Sequence, residues 1–165
     1  IQVNHLVERG NQLGTQEATI SAVHRLDAHS RITDTIRSGH ALTIVLKYRL
    51  AKPIPDIALT LGIHTETNVK CFETTIPSTK DAFGSLEKQG TLNCYLPKLP
   101  LLAGRYYIAV GFYPIDWSYV YDYHWQMHVL HVSSEDGVPT GVSGVLSVRP
   151  VWSAVAGGRA IERAV

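Results

Sequence analysis

A chain of 165 residues has the size of one domain and can close a hydrophobic core without disulfides or metals to staple it. Apolar residues at 45% and charged residues at 18% argue against a disordered tail, and no stretch approaches the roughly 20 apolar residues of a membrane helix. The formal charge is +1, with Lys and Arg scattered and not gathered into a stripe, which argues against nucleic acid as a partner.

Residues Ile1 to Gly14 are polar, with Gly10 and Gly14 framing Asn11, Gln12 and Leu13, and read as an incoming linker. They carry no signal-peptide pattern, and the start at Ile1 reads as a fragment of a longer protein. The domain is expected over residues 15–153, followed by a tail over 154–165 that is helical or disordered.

From there the chain alternates with the period of a half-buried strand. Leu42, Ile44, Leu46 and Tyr48 point one way, and Thr43, Lys47 and Arg49 the other. The pattern recurs in Ile57, Leu59, Leu61 and Ile63, and again in Tyr106, Ile108, Val110 and Phe112. Weaker strands are expected at Ala18 to His24, Val69 to Ile76, Thr91 to Leu96, Tyr121 to Val132 and Val145 to Val151, with one helical turn at Ser78 to Leu86. About eight short strands with Gly and Pro turns between them predict an all-β antiparallel sandwich. Cys71 and Cys94 are too few for a disulfide framework and are read as two buried thiols, a single bridge being the alternative. The segment Ser133 to Gly144, with Pro139, is long for a hairpin. It either lets the last strand pair with a second copy or is an ordinary surface loop.

The chain lacks the usual catalytic patterns. Gly141-Val142-Ser143-Gly144 does not have the spacing of a nucleophile elbow, and there is no P-loop. His124, His128 and His131 suggest a metal cluster. On a regular strand, however, the first two stand about 13 Å apart and the third faces the other side, so no metal or other cofactor is expected. Asp116, Asp122, Glu66 and Asp56 are available for glycoside hydrolysis, but nothing marks two of them as a pair.

The segment from Tyr113 to Gln126 is distinctive. It interleaves Tyr113, Trp117, Tyr119, Tyr121, Tyr123 and Trp125 with Asp116, Ser118, Asp122, His124 and Gln126. Aromatic faces cover the apolar side of a pyranose, and carboxylate, amide and imidazole groups satisfy its hydroxyls. About half of these aromatics are expected in the core, because alternate residues of a strand face opposite sides. Tyr107, Ala109, Gly111 and Tyr113 would form an outward floor of small residues with an aromatic at each end.

Several motifs, taken in order, resemble the C-terminal domain of Wzt, the ATPase subunit of bacterial O-antigen polysaccharide exporters. They are Gly14-Thr15-Gln16-Glu17-Ala18-Thr19-Ile20, Gly39-His40-Ala41-Leu42-Thr43-Ile44-Val45-Leu46-Lys47-Tyr48, Leu99-Pro100-Leu101-Leu102-Ala103-Gly104-Arg105-Tyr106-Tyr107-Ile108-Ala109-Val110, and the closing run from Gly144-Val145 to Trp152. The resemblance implies an immunoglobulin-like sandwich, a homodimer with exchanged C-terminal strands, and a pocket for the non-reducing end of the glycan. It also implies an ATPase domain and a transmembrane subunit as partners, at the cytoplasmic face of the bacterial inner membrane.

The resulting expectation is a non-catalytic carbohydrate-binding module. Tyr113, Trp117 and Tyr119 would stack on sugar, with His64, Asp122, His124 and Gln126 bonding its hydroxyls. A glycan hydrolase and a dimerisation domain without ligand are the alternatives.

Overall fold

A computed structural model describes residues 7–138, 141–156 and 159–164. Its strands are β1 (Val7–Arg9), β2 (Gln12–Gly14), β3 (Ala18–Leu26), β4 (Thr35–Arg37), β5 (Leu42–Leu50), β6 (Ala58–Thr65), β7 (Lys70–Ile76), β8 (Gln89–Leu96), β9 (Gly104–Tyr113), β10 (Asp122–Ser133), β11 (Val151–Ala156) and β12 (Arg159–Ala164), with one short helix, α1 (Thr79–Phe83).

Two sheets face each other. The larger runs β1-β2-β10-β9-β6-β7, with β4 lying parallel to β10, and the smaller runs β3-β5-β8. The expected β-sandwich is present. Alternation builds it: Leu42, Ile44, Leu46, Tyr48 and Leu50 of β5 are buried against Leu59, Leu61 and Ile63 of β6 and Tyr106, Ile108, Val110 and Phe112 of β9. Tyr48 meets Phe112 edge to face across the interior, with ring centres 6.4 Å apart. Inward residues of both sheets therefore form one apolar layer, the main source of stability.

The ends of the chain differ from the sequence-based expectation. Residues 7–14, read as a linker, fold into the β1–β2 hairpin, and β2 adds to the large sheet through Leu13 opposite Tyr123 and Gln12 opposite His124. A polar composition concealed this strand because its donors and acceptors bond to β10 and to a buried carboxylate. The expected strand from Val145 to Val151 is also absent: Leu146 makes only an isolated bridge to Leu101. The extended structure starts at Val151, after Pro150, which has no N–H to give to a ladder. β11 and β12 pair only with each other, so the expected helical or disordered tail is a hairpin where it is described. Pro139, in the loop expected to permit strand exchange, lies outside the described residues.

The helix is a single turn. Ser78 caps it by accepting from the Asp81 N–H, and Asp56 accepts from the Ser78 hydroxyl and the Lys80 N–H. Asp56 is thereby committed to holding a turn. Cys71 and Cys94 are unbridged thiols, and burial raises the pKa of each.

Gly14 marks the tightest crossing. Its φ is +152°, and a Cβ there would run into the carbonyl of Tyr121 and the backbone of Asp122. Gly14→Ala should lower stability by at least about 3 kcal/mol in urea unfolding, because no flexible side-chain tip can yield to the new methyl.

Candidate functional site

The outer face of the large sheet carries the aromatic residues. The β6–β9 register sets Ala58, Thr60, Gly62 and His64 beside Tyr113, Gly111, Ala109 and Tyr107, while β10 sets Tyr123 beside Gly111. Small residues do line the centre of this face, as expected, but they are not an open floor. Ala109 is buried, and a Cβ on Gly111 would come within 2.6 Å of the Tyr113 ring. A Cβ on Gly62 would come within 3.3 Å of the His64 ring. Small residues let the protein's own rings lie down on the sheet, and a ligand meets those rings.

The rings gather in two groups on this face. Trp117 leans on Tyr113 with centres 4.9 Å apart and a 38° tilt. Tyr123 and Trp125 stack at 6.3 Å and 22°, and Trp125 meets His64 edge to face at 5.3 Å. At the far end of β9 the Arg105 guanidinium sits 5.4 Å from the centre of the Tyr107 ring. Burial pushes the Tyr113 and Tyr123 phenols up, so both stay protonated and able to donate. Tyr123 and Trp125 were absent from the residues expected at the site. Their signal is a shared strand parity with Tyr121, which misled because Tyr121 itself is buried.

A tight turn presents Trp117. Its N–H donates to the Pro114 carbonyl at 2.9 Å, and the Asp116 carboxylate accepts from the Ser118 N–H and hydroxyl at 3.0 and 2.6 Å. The hydroxyl bond, with the N–H bond behind it, lowers the Asp116 pKa. Trp117 has φ +58°, unusual for a bulky residue, and is 43% exposed. An indole held in a left-handed turn and still facing water marks a candidate contact, since such strain concentrates at binding sites.

Of the other expected site residues, Tyr119 sits at the end of the sandwich and meets Tyr121 edge to face at 5.3 Å. Asp122 and His124 are inside. Asp122 is 0% exposed and His124 4%, so neither side chain reaches the outer face. Asp122 Oδ1 accepts from the side-chain amides of Gln12 and Gln16, and Oδ2 from the Ile20 N–H at 2.7 Å and from His124 Nε2–H at 3.1 Å. The Ile20 bond spans the two sheets at the bulge where β3 slips register on β5. Burial alone would raise the Asp122 pKa, but the bonds from His124, Gln16, Ile20 and Gln12 outweigh it and hold the carboxyl ionised. The expected role of these two residues on sugar hydroxyls is replaced by a structural one, because their bonding capacity is spent within the protein.

Gln126 sits in a bulge with φ +51°. There β10 uses four residues, from His124 to His128, where β9 uses two, from Val110 to Ile108. The 13 Å separation expected on a regular strand is therefore overturned: the kink brings His128 Nε2 within 2.8 Å of His124 Nδ1. Since a carboxylate only accepts, His124 Nε2–H donates to Asp122, while the direction of the bond between His124 Nδ1 and His128 Nε2 is set by their tautomers. The two imidazoles are hydrogen-bonded ring to ring, and among the described residues no group of three or more His, Cys, Asp or Glu is placed to hold a metal.

The carboxylates do not form a hydrolytic pair. Asp116 follows β9 beyond Tyr113, and Glu66 follows β6 beyond Thr65. Tyr113 pairs with Ala58, so the length of β6 separates them, about 23 Å at 3.3 Å per residue. Glycosidase carboxyls stand about 5–9.5 Å apart.

The buried histidines predict acid sensitivity. Desolvation, with His124 and Arg25 alongside, pushes His128 down to about 4 from 6.5, against the pull of Asp122. The unfolded chain takes up this proton below pH 6.5 and the folded chain does not, so stability falls as pH drops from 6.5 towards 4. Asp122, also depressed, adds a further loss below that range. Allowing for partial solvent screening, the His128 contribution is about 1–2 kcal/mol. His128→Gln should flatten the stability–pH slope between pH 6.5 and 4.5 in denaturant titrations.

Comparison with known proteins agrees with the fold. The family model described as "Wzt C-terminal domain" matches residues 10–145. A solved structure, "Crystal structure of the C-terminal domain of wzt", superposes with a TM-score of 0.68 at 14% identity, covering 87% of this chain and 87% of that one. No curated protein sequence matches. The solved structure supports the immunoglobulin-like form of the sandwich. The family is an ABC transporter component in which this domain is non-catalytic and the ATPase lies in a separate N-terminal domain. The match over residues 10–145 places the chain in the Wzt C-terminal domain family.

Proposed function

We propose that this domain binds the non-reducing end of an O-antigen polysaccharide through the outer face of its large sheet and couples that recognition to export by an ABC transporter. The observation that carries the reading is the aromatic layer of Trp117, Tyr113, Tyr123 and Trp125, held on Gly111 and Ala109 and edged by polar groups. Stacked rings recognise the C–H faces of sugars, and phenols and imidazole recognise the hydroxyls. The ATPase domain, the transmembrane subunit and a place at the cytoplasmic face of the inner membrane belong to this reading. No described helix is long and apolar enough to cross a membrane.

In calorimetric titration with the producing strain's own polysaccharide, the unmodified domain should bind. Tyr113→Ala combined with Trp117→Ala should weaken binding at least about tenfold, with the melting temperature lowered by only a few degrees. Binding that survives both changes would place the sugar elsewhere.

A homodimer with exchanged C-terminal strands is the second part of the proposal. Val151, Trp152 and Val155 on β11 are 66–76% exposed, and β11 has no partner in either sheet of its own sandwich. An edge with large apolar side chains invites pairing with another chain. Trp152→Glu with Val155→Glu should convert dimer to monomer in sedimentation equilibrium. A monomeric unmodified domain at tens of micromolar would rule out the dimer.

A further inference from the structure

The most unusual polar group on the outer face is His64. Its side chain is 7% exposed, and its Nδ1 is buried without a hydrogen-bond partner. The ring meets Trp125 edge to face, 5.3 Å away, and lies beside the small residue Gly62. A buried nitrogen with no partner is costly, and the cost is relieved when a ligand hydroxyl reaches it.

The charges around it are already matched. Lys70, the β7 neighbour of His64, pairs with Glu73 at 3.0 Å, and Arg105 pairs with Glu66 at 3.6 Å. Among the described residues this pairing leaves an anionic sugar no unpaired cation beside His64.

Resting on the polysaccharide-binding reading of this face, we infer that it reads an uncharged sugar terminus and that His64 bonds one hydroxyl of that sugar. The Trp125 indole, edge to face with the imidazole at 5.3 Å, is the neighbour that must give way for the hydroxyl to enter. Burial and the nearby Lys70 hold the His64 imidazole neutral, against a weaker pull from Glu73, so the nitrogen bonds a hydroxyl without adding a charge that would attract acids. His64 is thus a specificity-determining residue of the site.

The test is an array of oligosaccharides ending in neutral hexoses, deoxyhexoses, uronic acids and sugar phosphates, together with the producing strain's polysaccharide. The unmodified domain should bind neutral termini and reject acidic ones. His64→Phe, which keeps a ring but no nitrogen, should lose about tenfold in affinity, equivalent to 1.4 kcal/mol. His64→Asn, which returns an amide close to the ring nitrogen, should recover part of that loss. Preference for uronic acid or phosphate termini would overturn the charge argument while leaving the aromatic face as the binding surface. Unchanged affinity in His64→Phe would overturn the role of His64. Failure to bind any terminus would remove the polysaccharide-binding reading and this inference with it. The selectivity of the unmodified domain is read without a variant, so a misfolded substitution does not block the test.

Discussion

A buried carboxylate organises this domain. Asp122 accepts from Gln12 and Gln16 near the N-terminus, from the Ile20 backbone on the opposing sheet, and from His124 on its own strand. A lone ionised group between two apolar sheets would be prohibitive, whereas one with four donors is a fixed joint. It pins the start of β10, and the close passage of Gly14 over Tyr121 and Asp122 fixes the same point from the other side. The turn that presents Trp117 ends at this joint, so the geometry of the outer aromatic face depends on a carboxylate that never touches it.

The strands that the sequence makes legible are those with one buried face and several residues: β3, β5, β6, β7, β8, β9 and β10. Their alternation reports burial directly. The three-residue strands β1, β2 and β4 are too short for a period to show; β2 and β4 pair with β10, Gln12 of β2 bonds Asp122, and β1 pairs with β2. The C-terminal strand was misplaced because Leu146 and Val148 alternate with Ser147 and Arg149 like a strand, yet only Leu146 finds a bridging partner.

At the candidate site, composition pointed to the segment that supplies much of the aromatic face, and alternation sorted its residues into two sets. It did not show which set faces inward. Asp122 and His124 look like ligand-binding residues from their chemistry, but their partners Gln12, Gln16 and Ile20 lie more than 100 residues away in sequence. The bulge at Gln126 was equally hidden, since no Gly or Pro announces it, and it brings His128 onto His124. The small residues Ala109 and Gly111 were visible, whereas Gly62 beside them was not. Their purpose, to seat the domain's own rings, becomes clear only from the register of β6, β9 and β10.

Family membership places the domain in an ABC transporter, and polysaccharide binding through the outer aromatic face is the role proposed for it there. The chain has three tryptophans, two on the aromatic face at Trp117 and Trp125 and one on the hairpin at Trp152, and each indole N–H gives its own resonance. Adding the producing strain's polysaccharide to the 15N-labelled domain should shift the Trp117 and Trp125 signals and leave that of Trp152 in place. Shifts confined to Trp152, or no shift at saturating polysaccharide, would contradict the account.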